Sequence, residues 1–219
     1  MFASIYKNCD PSPKKISCYC EKVVLEMSNG RPRRVLECCC VDCLQHLEWA
    51  AANGGPSVPV IPTLSYWDND LKVVKGEKFL QVVILRDEGR SIRLISRCCY
   101  STLIVDHPFY NRVMFMLFEE ACKVQWDDCG KSPKETRPAE SRIFVKDFAD
   151  YRGKIPRFNG DQNRIHSSCC PKYVEKWNSL SSKYLENPKG EKCQSIFKRV
   201  PFKILGLDEA KRIFSLIDC

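Results

Sequence analysis

A group of cysteines in the first quarter of the chain restricts the fold more than any other feature. Cys38, Cys40 and Cys43 form a C-x-C-x-x-C pattern, and three thiolates at this spacing can bind one metal ion. A structural zinc site has four protein ligands, whereas a catalytic site usually has three and leaves the fourth position to water or substrate. The pattern therefore predicts an open, reactive zinc site. The alternative is a buried cysteine cluster without metal, because free cysteine is among the most buried residue types.

Two further cysteine pairs predict a second zinc site. Cys18 and Cys20 form a C-x-C pattern upstream, and Cys98 and Cys99 are adjacent far downstream. Together they would form a closed four-thiolate site that joins two strands and contributes to folding, because zinc binding is coupled to folding. Neighbouring strand residues face opposite sides of a sheet. Both Cys98 and Cys99 can therefore reach the metal only if the chain forms a loop there.

The number of cysteines, 15 in 219 residues, raises the alternative of a secreted protein held by disulfides. A chain of this length does not need such cross-links, and adjacent or C-x-C cysteines do not easily bond to each other. The N-terminal residues lack the long apolar region of a secretory signal, and no apolar run reaches the length of a membrane span. We therefore expect reduced, zinc-bound cysteines in the cytosol or nucleus, and we predict a cytoplasmic protein without membrane contact.

The formal net charge is +8, from 35 basic and 27 acidic residues. Such a charge could attract a nucleic acid, an acidic protein or a small anion. The basic residues are spread through the chain, and the short cluster Arg31-Pro32-Arg33-Arg34 is typical of a turn before a strand. Without a basic stripe or an aromatic RNA-binding signature, the sequence disfavours nucleic acid as the partner.

Short apolar segments separated by turn residues indicate a mainly β protein, either an antiparallel β-sandwich or an open barrel. A short helix is predicted over residues 44–52, ended by Asn53-Gly54-Gly55. The predicted strands cover residues 16–20, 23–27, 34–37, 58–61, 71–74, 79–85 and 91–95.

The order and separation of the cysteine groups resemble the glutathione-dependent formaldehyde-activating enzyme (Gfa-like) family, which includes centromere protein V. Residues 143–147 resemble that family's closing strand, and Ile155-Pro156-Arg157-Phe158 resembles its Leu-Pro-x-Phe end. The resemblance covers residues 14–160. It implies an Mss4-like, mainly β fold with two zinc ions per chain, one structural and one catalytic.

The resemblance also implies a role for each cysteine group. Cys18 and Cys20 match structural-zinc positions, and the C-x-C-x-x-C pattern matches the catalytic site. The family's second structural pair is C-x-x-C followed by glycine, and those positions hold Ser96, Cys99 and Tyr100 here. Cys98 would supply the missing thiolate, as in family branches with adjacent cysteines. Whether Cys98 or Cys99 completes the site stays open.

The family's named activity joins formaldehyde and glutathione to give S-hydroxymethylglutathione, a carbon–sulfur lyase reaction. The resemblance therefore implies a small-molecule substrate, with a glutathione adduct as the first candidate. His46 and Asp42 lie next to the cysteine triplet in sequence, and we predict that they assist catalysis, with His46 transferring a proton. Two alternatives are an isomerase, dehydratase or hydrolase using the same zinc on another metabolite, and a non-enzymatic zinc-binding interaction protein.

The last part of the chain lies beyond the resemblance. We predict a Gfa-like zinc-binding catalytic domain over residues 1–161 and a small helical extension over residues 162–219 that packs on it. Its amphipathic helices are predicted over residues 172–185 and 207–217. The apolar residues of the second helix would face the core or a second copy of the chain in a homodimer.

Overall fold

A computed structural model describes residues 14–28, 32–125, 138–167 and 189–207. In these ranges the protein is mainly β, as predicted, with twelve strands in two sheets and three α-helices. The strands are β1 (Lys14–Ser17), β2 (Val24–Met27), β3 (Arg34–Cys38), β4 (Thr63–Asp68), β5 (Leu71–Lys75), β6 (Leu80–Ile84), β7 (Ile92–Ser96), β8 (Thr102–Asp106), β9 (Met114–Phe118), β10 (Lys123–Gln125), β11 (Arg142–Ile143) and β12 (Phe202–Ile204). The helices are α1 (Val41–Ala52), α2 (Val145–Arg152) and α3 (Cys193–Phe197).

The strands form an open sandwich and not a closed barrel. The smaller sheet has the order β10-β1-β2-β5 and is antiparallel. The larger sheet has the order β11-β3-β4-β9-β8-β7-β6-β12. Its edge strands β11 and β12 run parallel to β3 and β6, while its inner strands pair in antiparallel fashion.

The main apolar core lies between the two sheets. It takes Ile16 and Leu25 from the smaller sheet and Trp67, Leu94 and Phe115 from the larger one, and all five side chains are fully buried. Burial of each such side chain stabilises the fold by about 1.5–3 kcal/mol. The packing of these residues therefore fixes the position of one sheet on the other.

The other face of the larger sheet carries α1. Strand residues alternate between the two faces of a sheet, and in β9 the residues Met114, Met116 and Phe118 belong to a second apolar cluster together with Leu47 of α1. Helix α1 begins three residues earlier than predicted because Cys40 caps its N-terminus, where its sulfur accepts a hydrogen bond from the Cys43 amide. Cys40 at the N-cap and Cys43 in the first turn thus lie together at the N-terminus of the helix.

The strand predicted over residues 16–20 is misplaced, because β1 ends at Ser17 and Cys18 and Cys20 lie in the turn after it. Two further strand predictions are wrong. Residues 58–61 form no strand, because Pro56, Pro59 and Pro62 interrupt the segment with residues that cannot donate a backbone hydrogen bond. The strand begins after the last proline, as β4. The segment 143–147 is also not a strand beyond Ile143, since Phe144 has a left-handed φ of 60° and α2 starts at the next residue.

The described part of the C-terminal region, residues 189–207, is tied to the sandwich by polar contacts. The Asp70 carboxylate accepts hydrogen bonds from the amides of Lys189 and Gly190, and Asn69 accepts one from the amide of Cys193. Strand β12 then lies beside β6. The predicted helix at 172–185 and all but the first residue of the one at 207–217 lie outside the described residues.

Within the described ranges, every helix is too short or too polar to cross a membrane.

Candidate metal centres

The first cysteine cluster is formed by two turns, each of which follows the end of a strand. One strand belongs to the smaller sheet and the other to the larger sheet. Cys18 and Cys20 follow β1, in a turn where Glu21 has a φ of 58° and its amide bonds the Cys18 carbonyl. Cys98 and Cys99 follow β7 and also lie in a turn. The structure therefore supplies the loop that the prediction required, and the thiols of Cys98 and Cys99 join the same cluster.

The sulfur atoms of this cluster fit a tetrahedral metal site. The Sγ atom of Cys98 lies 3.3 Å from the Sγ atom of Cys20 and 3.8 Å from that of Cys18. The Sγ atoms of Cys18 and Cys20 are 3.5 Å apart. All four sulfurs, including that of Cys99, lie within 4.8 Å of one another. Zinc–sulfur bonds of about 2.3 Å in tetrahedral geometry place the sulfurs about 3.8 Å apart. The same distances are far longer than the roughly 2.05 Å of a disulfide bond.

Two serine hydroxyl groups lie within hydrogen-bond distance of the Cys99 sulfur. Its sulfur lies 3.2 Å from the Ser101 Oγ and 3.4 Å from the Ser96 Oγ. Burial raises the pKa of Cys99, but the bonds from Ser101 and Ser96, with Cys20, prevail and lower it to about 6. Ser96 thus lies against the sulfur cluster as a hydrogen-bonding neighbour.

The second cluster is built where β3 runs into α1. Cys38 is the last residue of β3, Cys40 is the N-cap of α1 and Cys43 lies in the first turn of the helix. The Cys38 and Cys43 sulfurs are 3.7 Å apart, and the three sulfurs lie within 4.8 Å of one another. Cys39 is also buried, but it packs in a separate cluster with Leu44 and Phe148. Cys39 is therefore not part of the metal-binding group, although it lies between Cys38 and Cys40 in sequence.

The second cluster differs from the first in burial and in the charge of one thiol. Cys38 and Cys43 are buried, and Cys40 is half-buried, so the surface reaches the cluster on the side of Cys40. The N-terminus of a helix stabilises negative charge. Hydrogen bonds from the Cys38 and Cys43 thiols lower the pKa of Cys40 well below its ordinary value. Cys40 is thus the thiol that ionises first, before a metal displaces the protons of the other two.

A buried arginine of β7 provides a test of whether this cluster suits a metal or a set of neutral thiols. Arg93 is 1% exposed, and it donates hydrogen bonds to the Ser91 and Asp42 carbonyl groups at 3.0 and 3.4 Å. Burial lowers its pKa, while Cys43 and Cys40 raise it. A buried cation is costly unless an anion matches it. Three neutral thiols do not match it, whereas a divalent ion with three thiolates carries a net charge of −1, as the Cys40 thiolate alone would. The buried cation is therefore consistent with a metal ion here, and the three sulfurs lie close enough together to hold one.

Two titratable side chains, from α2 and from the segment after β8, lie near Cys40. Asp147 of α2 accepts a hydrogen bond from the Val41 amide, and burial together with Cys40 raises its pKa to about 6. Burial, with Arg90 and Arg93, lowers the pKa of His107 to about 4, while Cys40 acts in the opposite direction. No local pattern marks Asp147 as a site residue, because the packing of α2 brings it to the cysteines from a distant part of the sequence.

The predicted catalytic residue His46 is fully buried. Its Nε2 atom lies 2.7 Å from the Thr102 hydroxyl, and its ring stacks near Trp49 and Phe118. Burial lowers its pKa well below the ordinary value, so the ring is neutral at physiological pH. A role in proton transfer stays a prediction, and the burial of the ring counts against it.

The predicted catalytic residue Asp42 lies in the first turn of α1. Its carboxylate pairs with Arg86 at 2.7 Å, and the same guanidinium also bonds Gln45. This arrangement fixes Arg86 on the helix. Its catalytic role also stays a prediction.

No protein-family model matches the chain, and comparison with curated proteins likewise gives no match.

Proposed function

We propose that this protein is a zinc-dependent Gfa-like enzyme with an Mss4-like fold, acting on a small molecule at the metal held by Cys38, Cys40 and Cys43. The observation that carries the proposal is the division of seven thiols into a set of four and a separate set of three. Four protein ligands are typical of a structural zinc, and three are typical of a catalytic one. The set of three therefore leaves a coordination position for substrate.

The geometry of the first cluster supports the family assignment. The family's second structural pair is followed by glycine, and Tyr100 stands at that position with a φ of 46°. Glycine favours this left-handed conformation because it has no Cβ atom. Tyr100 is not a glycine, but its backbone has the left-handed conformation that a glycine at this position would adopt without strain. Cys98 replaces the thiolate that Ser96 cannot provide.

The proposed chemistry divides between the metal and the chain. A zinc ion with three thiolate ligands supplies a Lewis acid for a carbonyl or a thiolate. Cys38, Cys40 and Cys43 would hold it, and Arg93 would balance the charge of these ligands. We assign proton transfer to Asp147, because its carboxylate lies at the amide next to Cys40 and has a pKa of about 6. A group that titrates near neutral pH both accepts and releases protons readily.

The reaction we assign first is the addition of glutathione to formaldehyde. The thiol sulfur forms a bond to the carbonyl carbon, and the thiol proton ends on the former carbonyl oxygen. Asp147 would carry this proton between the two atoms. Arg90 suits a carboxylate of glutathione: it is exposed, its guanidinium lies 5.4 Å from the centre of the Phe109 ring, and its charge, like that of Cys40, acts on His107.

Exchange spectroscopy on an equilibrium mixture of formaldehyde and glutathione tests this proposal. The uncatalysed addition is fast, so the measured quantity is the exchange rate above that of the protein-free mixture. We expect acceleration by protein with two zinc ions per chain, and loss of that acceleration in Cys40→Ser. Wild-type protein with both metals bound and no acceleration would exclude the glutathione reaction. The same loaded protein would then be tested on other aldehydes and on hydrolase, dehydratase and isomerase substrates.

Asp147→Asn tests the assigned proton transfer, with Asp150→Asn as the matched control. Both residues lie on α2, but Asp150 is exposed whereas Asp147 is half-buried beside α1. General acid–base groups contribute about 10²–10⁴-fold to rate. We expect a loss in this range for Asp147→Asn at unchanged zinc content, and no loss for Asp150→Asn. Equal activity of the two variants would remove Asp147 from the mechanism.

A further inference from the structure

We propose that Arg93 is a positioning residue of the three-cysteine site, and that its buried charge selectively strengthens the binding of an anionic fourth ligand there. The inference rests on the proposed function in one respect, namely that Cys38, Cys40 and Cys43 bind a divalent metal ion. It extends that function because it assigns the choice of ligand to a residue on a different strand from the cysteine motif.

The position of the guanidinium is fixed by the backbone on two sides. It donates from Nη1 to the carbonyl of Ser91 on its own strand and from Nη2 to the carbonyl of Asp42 in α1. Asp42 lies between Cys40 and Cys43 in sequence, so the guanidinium is held against the helical turn that carries two of the three thiols. The Nε atom is buried and has no hydrogen-bond partner among the described residues.

The charged surroundings of Arg93 point to the thiols as its counterpart. Cys43 and Cys40 favour its charged form, Tyr110 does so to a smaller extent, and Arg86 opposes it. The charge of Arg86 is met by the Asp42 carboxylate, whereas Arg93 bonds the Asp42 carbonyl. Arg93 therefore lies beside the second cluster as a cation whose natural counter-charge is thiolate.

A charge count gives the consequence for the fourth ligand. A divalent ion and three thiolates carry a net charge of −1, and Arg93 brings the total to zero. An anionic fourth ligand then leaves a total of −1, whereas without Arg93 it would leave −2. Like charges at short range in a poorly solvated site repel strongly. A neutral ligand leaves the total unchanged in both cases, so Arg93 should strengthen the binding of anions selectively.

A purely structural role for Arg93 is the alternative explanation. Its hydrogen bonds to two carbonyl groups could serve to hold β7 against α1. Arg93→Gln removes the charge but keeps an amide donor, whereas Arg93→Lys keeps the charge but loses the planar, multiply donating guanidinium. If Arg93 acts through its charge, Arg93→Lys should behave like wild type. If it acts through hydrogen bonding, Arg93→Gln should be closer to wild type than Arg93→Lys.

Cobalt(II)-substituted protein makes the ligand preference measurable without turnover. Azide serves as the anionic probe and imidazole as the neutral one, and each is titrated while the visible spectrum reports the change at the open site. A closed four-thiolate site has no position for either probe, so it gives no change. The variants are Arg93→Gln and Arg93→Lys, with Arg86→Gln as the matched control, because Arg86 is a neighbouring arginine whose charge is already paired.

We expect Arg93→Gln to weaken azide binding about tenfold, which corresponds to about 1.4 kcal/mol. Imidazole binding should stay unchanged, and Arg93→Lys and Arg86→Gln should retain the azide affinity of wild type. Equal effects on azide and imidazole, or no effect on either, would overturn the inference. If Arg93→Gln does not fold, Arg93→Lys still decides, because a loss of azide affinity in this charge-retaining variant would contradict a role through charge. Absence of a probe-sensitive cobalt spectrum in wild type would instead refute the proposed metal site itself.

Discussion

The Nε2 atom of His46 lies 2.7 Å from the hydroxyl group of Thr102. His46 is three residues after Cys43, and Thr102 is three residues after Cys99, so this hydrogen bond links the segments that carry the two cysteine clusters. Trp49 adds a second link, since its ring packs edge-on against Tyr100 with 5.6 Å between the ring centres. Helix α1 therefore contributes thiols to one cluster and supports the loop that carries thiols of the other.

His46→Ala should lower the free energy of unfolding by about 1–3 kcal/mol, because it leaves the buried hydroxyl of Thr102 without this partner. His46→Gln should lose less, since its amide can still bond Thr102. We expect the glutamine variant to keep its zinc and most of its turnover, because a fully buried imidazole cannot exchange protons with solvent. Denaturant unfolding, zinc analysis and turnover provide the readouts. Loss of turnover in a stable, zinc-loaded His46→Gln protein would restore His46 as the catalytic acid or base.

Cys20→Ser and Cys40→Ser should have different consequences. Cys20→Ser removes a ligand between the two sheets, and we expect a lower melting temperature and less soluble protein, because metal binding there is part of folding. Cys40→Ser should leave the fold largely intact and abolish turnover. Cys39→Ala is the control: it removes a buried thiol outside both clusters, so it should cost stability but keep two zinc ions. Equal destabilisation by Cys20→Ser and Cys40→Ser would mean that the two clusters do not have distinct roles.

The two metals should be lost in opposite orders under two treatments. At equilibrium with a chelator, the three-ligand site should release its metal first, because it has fewer protein ligands. A peroxide should instead attack the first cluster, since Cys20 is exposed whereas Cys40 is only half-buried and Cys38 and Cys43 are buried. Zinc release followed by mass spectrometry of alkylated cysteines distinguishes the two sites. The same site lost first under both treatments would contradict this prediction.

His107 should make the protein less stable in acid. Its pKa in the folded state is about 4, below the ordinary value of 6.5. Between these values the unfolded chain binds a proton that the folded protein does not, so stability falls as pH falls from about 6.5 towards 4. His107→Gln should reduce the slope of stability against pH in this window, at equal zinc concentration. A slope identical to that of wild type, or an NMR titration of His107 near 6.5, would refute the assignment.

Gly76→Ala should destabilise the protein more than Gly54→Ala. Both glycines have left-handed φ values, 81° and 92°, so alanine is strained at either position. A Cβ atom at Gly76 would also collide with the carbonyl oxygen of Lys22, in the loop between Cys18 and β2, whereas at Gly54 it would meet open space. The additional overpacking costs about 1–3 kcal/mol. Thermal unfolding of the two variants gives the comparison, and equal costs would show that the loop moves freely.

The grouping of the cysteines could be predicted from sequence because metal-ligand spacing is a local property. Cys38, Cys40 and Cys43 are brought together by one strand end and one helix turn, and Cys18 and Cys20 by one turn. The participation of both Cys98 and Cys99 could not be decided, because it depends on the end of β7 falling at Ser96. A strand one or two residues longer would have directed one of the two thiols away.

Arg93 and Asp147 could not be identified from sequence because nothing local distinguishes them. Arg93 lies in a strand with ordinary alternation, and its significance comes from the pairing that carries β7 beside α1. The strand prediction also missed β8 and β9, although residues 113–118 form an apolar run. Such runs occur in strands that are covered on both faces, as β9 is by the smaller sheet and α1.

The two clusters close loops of very different length, and this difference sets an order of assembly. Cys38 and Cys43 are five residues apart, whereas the Cys20 and Cys98 sulfurs meet across 78 residues. Closing the longer loop costs about 2 kcal/mol more chain entropy, and it requires strands of both sheets to have paired. During synthesis the three-cysteine segment can therefore capture its ion while most of the chain is still unstructured. The four-cysteine cluster can do so only once the sandwich exists, so its metal content reports whether an individual molecule has finished folding.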